Sequence, residues 1–420
     1  MGQLQFHFSS TLKSATDFPS DFLADKVKLE EQILNPNTAY ALAPFRPELL
    51  DQCVKVKNKF LNITHFVHVG IGGSSLGPEM LLRALKNPGV NFLFMNNIDP
   101  DDIQDQLDVI PFETTLFYFV SKSGGTAETL AAFSLIINYF EMRGKTKVDI
   151  FKRFVFATDP VKSELLEIGK LENIPCLEIP SNVGGRFSVL TPVGYFPALF
   201  AGIDVRALLQ GAQSTHQMIN DEKSDLYKMA HFLFTLKEKE NRSLTVLMPY
   251  SSKLRDFSFW FTQLWAESLG KELDKDGNIV RDGFTPIPAY GATDQHSQMQ
   301  LFMEGPNDKV MILIEVEHFT RDFSLKNQFA TTSLQKLSKH RLSELLSAEL
   351  KGTLKALETK ERPFVHIKIP SLDAESLGTL ILFFELLTGL MGLKMNVDPF
   401  NQPGVELGKT YAFQWLNQLK

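Results

Sequence analysis

The residues best suited to chemistry fall into two groups, and the first is a pair of loops rich in hydroxyls and glycine. Ser121-Lys122-Ser123-Gly124-Gly125-Thr126 follows the apolar run Leu116-Phe117-Tyr118-Phe119-Val120 and precedes a helical stretch from Ala127 to Arg143. Gly70-Ile71-Gly72-Gly73-Ser74-Ser75-Leu76-Gly77 follows Val67-His68-Val69, and Pro78 then stands in the first turn of a helix. Glycine lets the backbone come close to a ligand, hydroxyls donate hydrogen bonds, and the free N–H groups of a helix start face an anion. Taken alone, the first loop reads equally well as an ordinary strand-to-helix turn with Thr126 as N-cap. The second is neither GxGxxG nor a P-loop, because no Lys-Ser/Thr follows. Two such loops at the C-terminal ends of strands in one parallel sheet fit a small phosphorylated ligand, such as a sugar monophosphate.

The second group consists of charged and titratable side chains. Arg186, in Val183-Gly184-Gly185-Arg186-Phe187-Ser188, brings a fixed guanidinium that suits a phosphate, a carboxylate or an enediolate oxygen. Gln263 and Glu267 lie one turn apart on the predicted helix 254–269, with Gly270 as C-cap, so they share a face. Glu267 sits in the last turn beside Leu264 and Trp265, where the helix dipole disfavours a charged carboxylate and so favours a proton-accepting base. His296, in Gly291-Ala292-Thr293-Asp294-Gln295-His296-Ser297-Gln298, is the natural proton carrier near neutrality. Lys409 closes Asn401-Gln402-Pro403-Gly404-Val405-Glu406-Leu407-Gly408-Lys409. Each also has a plain structural reading: a loop-tying arginine, a solvated glutamate, a bystander histidine, a surface lysine.

These residues must be carried by a definite set of elements. From residue 61, strands at 65–69, 91–95, 116–120, 154–157 and 176–179 alternate with helical stretches, which predicts a parallel sheet covered on both faces. A second alternation follows, with strands at 244–248, 310–316 and 364–369 and long helices at 332–359 and 372–393. The fold class is therefore α/β: two αβα sandwiches of flavodoxin-like type with parallel sheets, plus N- and C-terminal helical segments. The domains expected are a helical segment 1–60, a first domain 61–205, a second domain 206–400, and a C-terminal helix 401–420 carrying Lys409.

Composition narrows the function classes. Hydrophobic residues make up 44% and charged residues 22% of 420, which is ordinary for a globular protein with real cores. A net charge of −6 argues against a nucleic-acid surface. Cys53 and Cys176 form no CxxC and no disulfide framework, which fits a reducing cytoplasm. Met1-Gly2-Gln3-Leu4-Gln5-Phe6-His7 has no basic region followed by an apolar core, so no signal peptide is expected. The most apolar stretch, 377–393, contains Glu385, Thr388 and glycines, and predicts a buried helix instead of a membrane span. The histidines show no HExxH or other ligand spacing, so no metal is expected.

Against these residues a family resemblance can be stated. Ser121–Thr129, SKSGGTAET, is similar to the SKSGTTxET signature of sugar isomerase (SIS) domains in the glucose-6-phosphate isomerase family. GIGGSSLGPEM resembles the upstream loop of that family, and GGRFSVLTPVG its GGRFSxxTPVG segment. QLWAESLGK, GATDQHSQ and NQPGVELGK resemble its glutamate, histidine and lysine segments. The resemblance covers nearly all of the chain and implies two SIS domains.

It also implies interconversion of glucose 6-phosphate and fructose 6-phosphate, a step of glycolysis and gluconeogenesis, with no cofactor. By that resemblance Gly72, Gly73, Ser74, Ser121, Lys122, Ser123 and Thr126 hold the phosphate, and Gln263 and Gln402 orient the sugar. His296 and Lys409 open the ring, Glu267 moves the proton between C2 and C1, and Arg186 steadies the cis-enediolate. It implies a homodimer in which His296 enters the partner's site. One departure stands out: Gly125 replaces the first Thr of the family's GTT, removing a phosphate hydroxyl. Two other readings remain open. One is an SIS-fold isomerase that also takes mannose 6-phosphate. The other is a non-catalytic sugar-phosphate sensor, which would need the hydroxyl loops but not Glu267, His296 or Lys409.

Overall fold

In a computed structural model of the protein, which describes residues 4–419 apart from 11, 12, 36, 37, 88, 328 and 330, every residue of the run Thr115–Val120 is buried. A strand that is apolar on both faces needs cover on both, and a parallel sheet flanked by helices supplies it. Met1, Gly2 and Gln3 of the N-terminal stretch lie outside the described residues.

The strands are β1 (Gln5–Phe8), β2 (His65–Val69), β3 (Asn91–Met95), β4 (Thr115–Val120), β5 (Phe154–Thr158), β6 (Cys176–Glu178), β7 (Leu244–Pro249), β8 (Lys271–Leu273), β9 (Ile279–Asp282), β10 (Thr285–Pro288), β11 (Lys309–His318) and β12 (Phe364–Ser371). The first sheet is parallel throughout, in the order β3-β2-β4-β5-β6. Its order reverses at β2, which has β3 on one side and β4 on the other. Loops leaving the C-terminal ends of β2 and β4 therefore open on one crevice. These are the two Ser/Gly loops.

The second sheet has the order β1-β12-β11-β7-β10, with β1 antiparallel to β12 and the other neighbours parallel. The two αβα units expected from the alternation are thus present. The N-terminal stretch, read as helical, is only partly so. Phe6 and Phe8 lie two residues apart and share one face of β1, packing 5.0 Å from Phe383 and 5.5 Å from Phe232 respectively, between ring centroids. That pairing draws residues 5–8 to the edge of the second sheet. The β8–β9 hairpin and β10 were not legible in the pattern. Pro286 and Pro288 would have argued against β10, but it is an edge strand, where a missing N–H is tolerated. The stretch 332–359 is two helices, Thr332–Leu337 and Leu342–Thr359, parted where Lys339 takes a φ of +82°.

Six helices position the site and its surroundings: α1 (Leu23–Leu34), α2 (Leu76–Leu85), α3 (Ala127–Glu141), α4 (Arg255–Leu269), α5 (Ala374–Lys394) and α6 (Glu406–Leu416). One contiguous apolar core joins Tyr118 and Val155 of the first sheet, Leu247 and Ile312 of the second, and Leu380, Phe383 and Leu387 of α5. Among the described residues α5 alone is long and apolar enough to cross a membrane, and 94% of its apolar window is buried inside the protein. By contrast, every described residue from Asn401 to Leu419, including all of α6, is exposed.

Candidate functional site

The centre of the site is a contact between two distant segments. On α4 the buried stripe Phe257, Trp260, Phe261, Leu264 and Trp265 faces the core. Gln263 and Glu267 are left together on the other side, as the helical period requires. Arg186 comes from a short turn, Gly185–Phe187, fixed by its neighbour: the Phe187 ring is buried 4.7 Å from Tyr40 and 5.4 Å from Phe400. The Arg186 side chain, 1% exposed, meets Glu267, 21% exposed, with Nη1 2.8 Å from Oε1. Its remaining donors are all engaged. Nε donates to Ser268 Oγ at 2.7 Å, Nη1 to Gln402 Oε1 at 2.7 Å, and Nη2 to the carbonyls of Pro399 at 2.5 Å and Asn401 at 3.1 Å. Gln263 Nε2 donates to the second carboxylate oxygen of Glu267 at 2.9 Å.

Burial presses the Arg186 guanidinium below its ordinary value, and the Glu267 carboxylate opposes that. Glu267 thus has a neighbour that its place at the helix end does not announce, a counter-charge brought from the first domain. Leu264 and Trp265 are fully buried in the core. Gly270 stands at the C-cap of α4, as expected, in an extended conformation.

The β2 loop reaches this centre. Gly72 has a φ of +59°, and a Cβ there would lie 3.1 Å from Gln263 Nε2. Gly73 rests against the arginine turn so closely that a Cβ would fall 2.3 Å from the carbonyl carbon of Gly185. Ser188 Oγ donates to Gly185 O at 2.7 Å and to Gly73 O at 3.4 Å, tying the same two loops. Gly73→Ala must therefore part them, because the obstacle is backbone. Gly185→Ala meets nothing within 4 Å. We expect Gly73→Ala to cost about 1–3 kcal/mol with a matching fall in urea midpoint and activity, and Gly185→Ala to change neither.

The β4 loop is organised by its own hydroxyls. Ser121 Oγ and Thr126 Oγ1 are 2.8 Å apart, Gly124 N–H donates to Ser121 Oγ at 3.1 Å, and Gly125 N–H to Ser123 Oγ at 3.3 Å. Thr126 is the N-cap residue of α3, but its side chain is turned to Ser121 and caps no backbone N–H. Lys122 is committed elsewhere: Nζ donates to the carbonyls of Ser181 at 2.7 Å and Val183 at 2.8 Å, holding the approach to the arginine turn. Burial lowers its pKa, with Asp159 acting against that.

The chain thus brings together Arg186, Glu267, Gln263, Gln402, Gly72 and Gly73, with the Ser121–Thr126 loop leaving the neighbouring strand. It does not bring His296 or Lys409 to Glu267. His296 is exposed and its side chain makes no hydrogen bond or ion pair among the described residues. Lys409 is exposed on α6, its Nζ 2.8 Å from Glu406 Oε1. Among the described residues no three His, Cys, Asp or Glu side chains converge as a metal would require.

Three participants escaped sequence reasoning. Ser268 receives Arg186 Nε. Lys271, also in QLWAESLGK, donates from Nζ to Glu267 O at 2.8 Å and Asn401 O at 2.7 Å. His68 is fully buried under the β2 loop, with Nε2 2.6 Å from Ser74 O; burial pushes its pKa down to about 4, so it is neutral and donates. Its place opposite His65 on β2 follows from strand alternation, but its partner is a carbonyl, which no residue type announces.

Residues 52–420 match the family described as phosphoglucose isomerase. A glucose-6-phosphate isomerase of Rubrobacter xylanophilus is 42% identical over 365 residues, covering 83% of this chain and 82% of the relative. One of Carboxydothermus hydrogenoformans is 35% identical over 418 residues, covering 94% and 89%. Among solved structures, a hypothetical protein of Thermus thermophilus superposes with a TM-score of 0.89 at 30% identity, covering 98% of this chain and 100% of that one. A glucose-6-phosphate isomerase of Chlamydia trachomatis gives 0.77 at 25% identity, covering 89% and 73%. With a family match across most of its length and relatives this similar over more than four-fifths of it, the chain belongs to the phosphoglucose isomerase family.

Proposed function

We propose that the protein interconverts glucose 6-phosphate and fructose 6-phosphate by proton transfer through a cis-enediolate. The observation that carries this reading is the Arg186–Glu267 contact at 2.8 Å, with Gln263 and Gln402 hydrogen-bonded to its two members. An aldose–ketose shift needs a base close to both C1 and C2 and a cation for the oxygen that becomes negative between the two steps. Glu267 is the base and Arg186 the cation. Ser74, Ser121, Ser123 and Thr126, with the N–H groups of Gly72 and Gly73, hold the phosphate, and Lys122 fixes the loop beside them. The reaction moves a proton within the sugar, so no redox group takes part.

Fructose 6-phosphate incubated in deuterated water tests the reading. Glucose 6-phosphate labelled at C2 is the expected product, because a carboxylate exchanges its proton with solvent. Unlabelled product would point to a hydride shift, and no product would remove the activity.

The phosphate loop offers a smaller test. A Cβ on Gly125 would come no closer than 3.5 Å to Glu164, so a side chain fits. Gly125→Thr restores the family's hydroxyl, and one added hydrogen bond to the phosphate is expected to lower KM by about 2–10-fold. An unchanged KM would show that the hydroxyl is not missed.

The active unit is a homodimer, with His296 of one subunit and Glu267 of the other in each site, and with Lys409 joining His296 at the ring oxygen. Two features support this. His296 is exposed without a partner among the described residues. α6 and the turn before it expose Val405, Leu407, Tyr411, Phe413 and Trp415, the last by 72%, an apolar surface of the kind that marks an interface. If sites are shared, mixing inactive Glu267→Gln and His296→Ala chains, with subunit exchange, should restore about a quarter of the wild-type sites. Mixtures that stay inactive would place both residues in one chain. The free Cys53 and Cys176 suit a reducing, cytoplasmic compartment.

A further inference from the structure

The catalytic pair is held from behind by a second buried cation that none of the roles above includes. Lys271 opens β8 one residue beyond the C-cap of α4, and it is buried. Its Nζ has two carbonyl acceptors. Glu267 O belongs to the last turn of α4, where a lysine satisfies an otherwise orphaned carbonyl, and Asn401 O belongs to the segment leading to α6. Asn401 O also accepts from Arg186 Nη2, so one carbonyl is shared by two cations. Arg186 takes the neighbouring Pro399 O and Gln402 Oε1 as well. The charged groups facing Lys271 are Arg186, Asp398 and Glu267. Asp282, its cross-strand neighbour on β9, is taken by Lys237 at 2.7 Å. Burial, with Arg186 beside it, pushes the ammonium down to about 8, while Asp398 and Glu267 act against the shift. A cation kept in such a place needs a reason beyond filling space.

We propose that Lys271 is a positioning residue: with Arg186 it moors the segment Pro399–Gln402 to the end of α4, and so fixes where Gln402 and the exposed arm bearing Lys409 leave the site. Pro399 is buried and Phe400 packs on Tyr40 and Phe187, so apolar anchorage of the segment ends at Phe400 and the mooring takes over from there. Asn401 and every described residue beyond are exposed, and among the described residues α6 packs closely only on the short turn that precedes it. Further upstream the hairpin adds two ties, Lys275 N–H to Asn396 O at 2.8 Å and Asn396 Nδ2 to Asp276 Oδ2 at 2.7 Å, but both lie before Pro399. Lys271 touches neither the sugar nor the proton that moves. It sets the distance between the base on α4 and the groups that the arm carries.

Two readouts on Lys271→Met test this, one independent of turnover. The bond after Phe400, a half-buried residue packed on Tyr40 and Phe187, should be cut by chymotrypsin about tenfold faster in the variant, followed by mass spectrometry of the fragments. With the isomerase reading in place, kcat should fall about 10–100-fold, as expected when acting groups are displaced by about an ångström, while KM for fructose 6-phosphate changes less than about twofold, because the phosphate loops lie on the other domain. Lys271→Arg keeps a charged donor and should restore protection at Phe400 and most of kcat. Wild-type protection in Lys271→Met, or wild-type kcat, would overturn the proposal. So would a Lys271→Arg variant that behaves like Lys271→Met, including the case in which the methionine variant does not fold. Absence of isomerisation in the wild-type protein would instead refute the activity and leave the proteolysis readout standing.

Discussion

Glu267→Gln should lower kcat by about 10²–10⁴-fold, the usual contribution of a positioned base, while KM for either sugar phosphate moves by less than about threefold. The substitution keeps the shape of the side chain and its place on α4. Glutamine still offers an oxygen to Arg186 Nη1, which lies 2.8 Å from Oε1. It cannot hold the proton that must leave one carbon and return at the next. On the proposed reading the phosphate is held by hydroxyls and backbone at the ends of β2 and β4, which reach Glu267 indirectly, through Gln263 at Gly72 and through the arginine turn at Gly73. Binding and chemistry should therefore separate. Loss of the ion pair removes part of the compensation for a buried guanidinium, so a stability loss of about 1–2 kcal/mol is expected, visible as a lower urea midpoint but not as unfolding. In deuterated water the variant should incorporate no label into recovered fructose 6-phosphate. A variant with wild-type turnover would remove Glu267 from the role of base.

How much of this was readable beforehand depends on which residues are asked about. The β2 and β4 loops were legible because glycines, hydroxyls and flanking apolar runs are all local signals, and a parallel sheet then forces such loops to one edge. Gln263 and Glu267 were legible as a pair because a helix has a fixed period. The meeting of Arg186 with Glu267 was not, since the two are joined only through the packing of the first domain on α4. The resemblance named both residues but not their contact. Lys271 and the carbonyls of Pro399 and Asn401 were missed for a different reason: main-chain acceptors carry no residue identity. Ser268 offers a side-chain hydroxyl, but its donor Arg186 comes from a distant segment, so nothing local marks it. β1 was missed because four residues with two phenylalanines are too short to separate strand from helix. Only the open edge of β12, more than three hundred residues later, decides the matter. His296 and Lys409 mark the opposite case. The resemblance assigned them roles, yet one chain leaves both in solvent, so their roles need a second chain or a movement of α6.

Arg186→Lys should be the most damaging conservative change in the molecule. Arginine here uses its planar fork fully, with five contacts to Ser268, Glu267, Gln402, Pro399 and Asn401 from a side chain almost without exposure. An ammonium has three donors around one point and cannot reach acceptors arranged in a plane. At least two buried acceptors would lose their partner, at about 1–3 kcal/mol each, so a clear fall in urea midpoint is expected even though the charge is kept. The kinetic loss should be larger than stability alone predicts. In the resting site the guanidinium faces the Glu267 carboxylate. On the proposed reading, when that carboxylate accepts the proton, its charge disappears and a negative charge appears on the enediolate oxygen instead. Arg186 then exchanges one anionic neighbour for another without moving, which is why the same cation can favour the intermediate without paralysing the base. A lysine head drawn toward Glu267 alone would hold the carboxylate and lose the enediolate, and kcat is expected to fall about 10²–10³-fold, the loss typical for a missing oxyanion donor. Lys271→Met should disturb the arm while leaving this exchange intact. A parallel comparison of the two variants, by kcat and by cleavage after Phe400, therefore separates the group that stabilises the reacting charge from the group that holds the chain behind it. If Arg186→Lys retained both its urea midpoint and its turnover, the planar network would carry neither stability nor chemistry, and the role of Arg186 as enediolate partner would be lost with it.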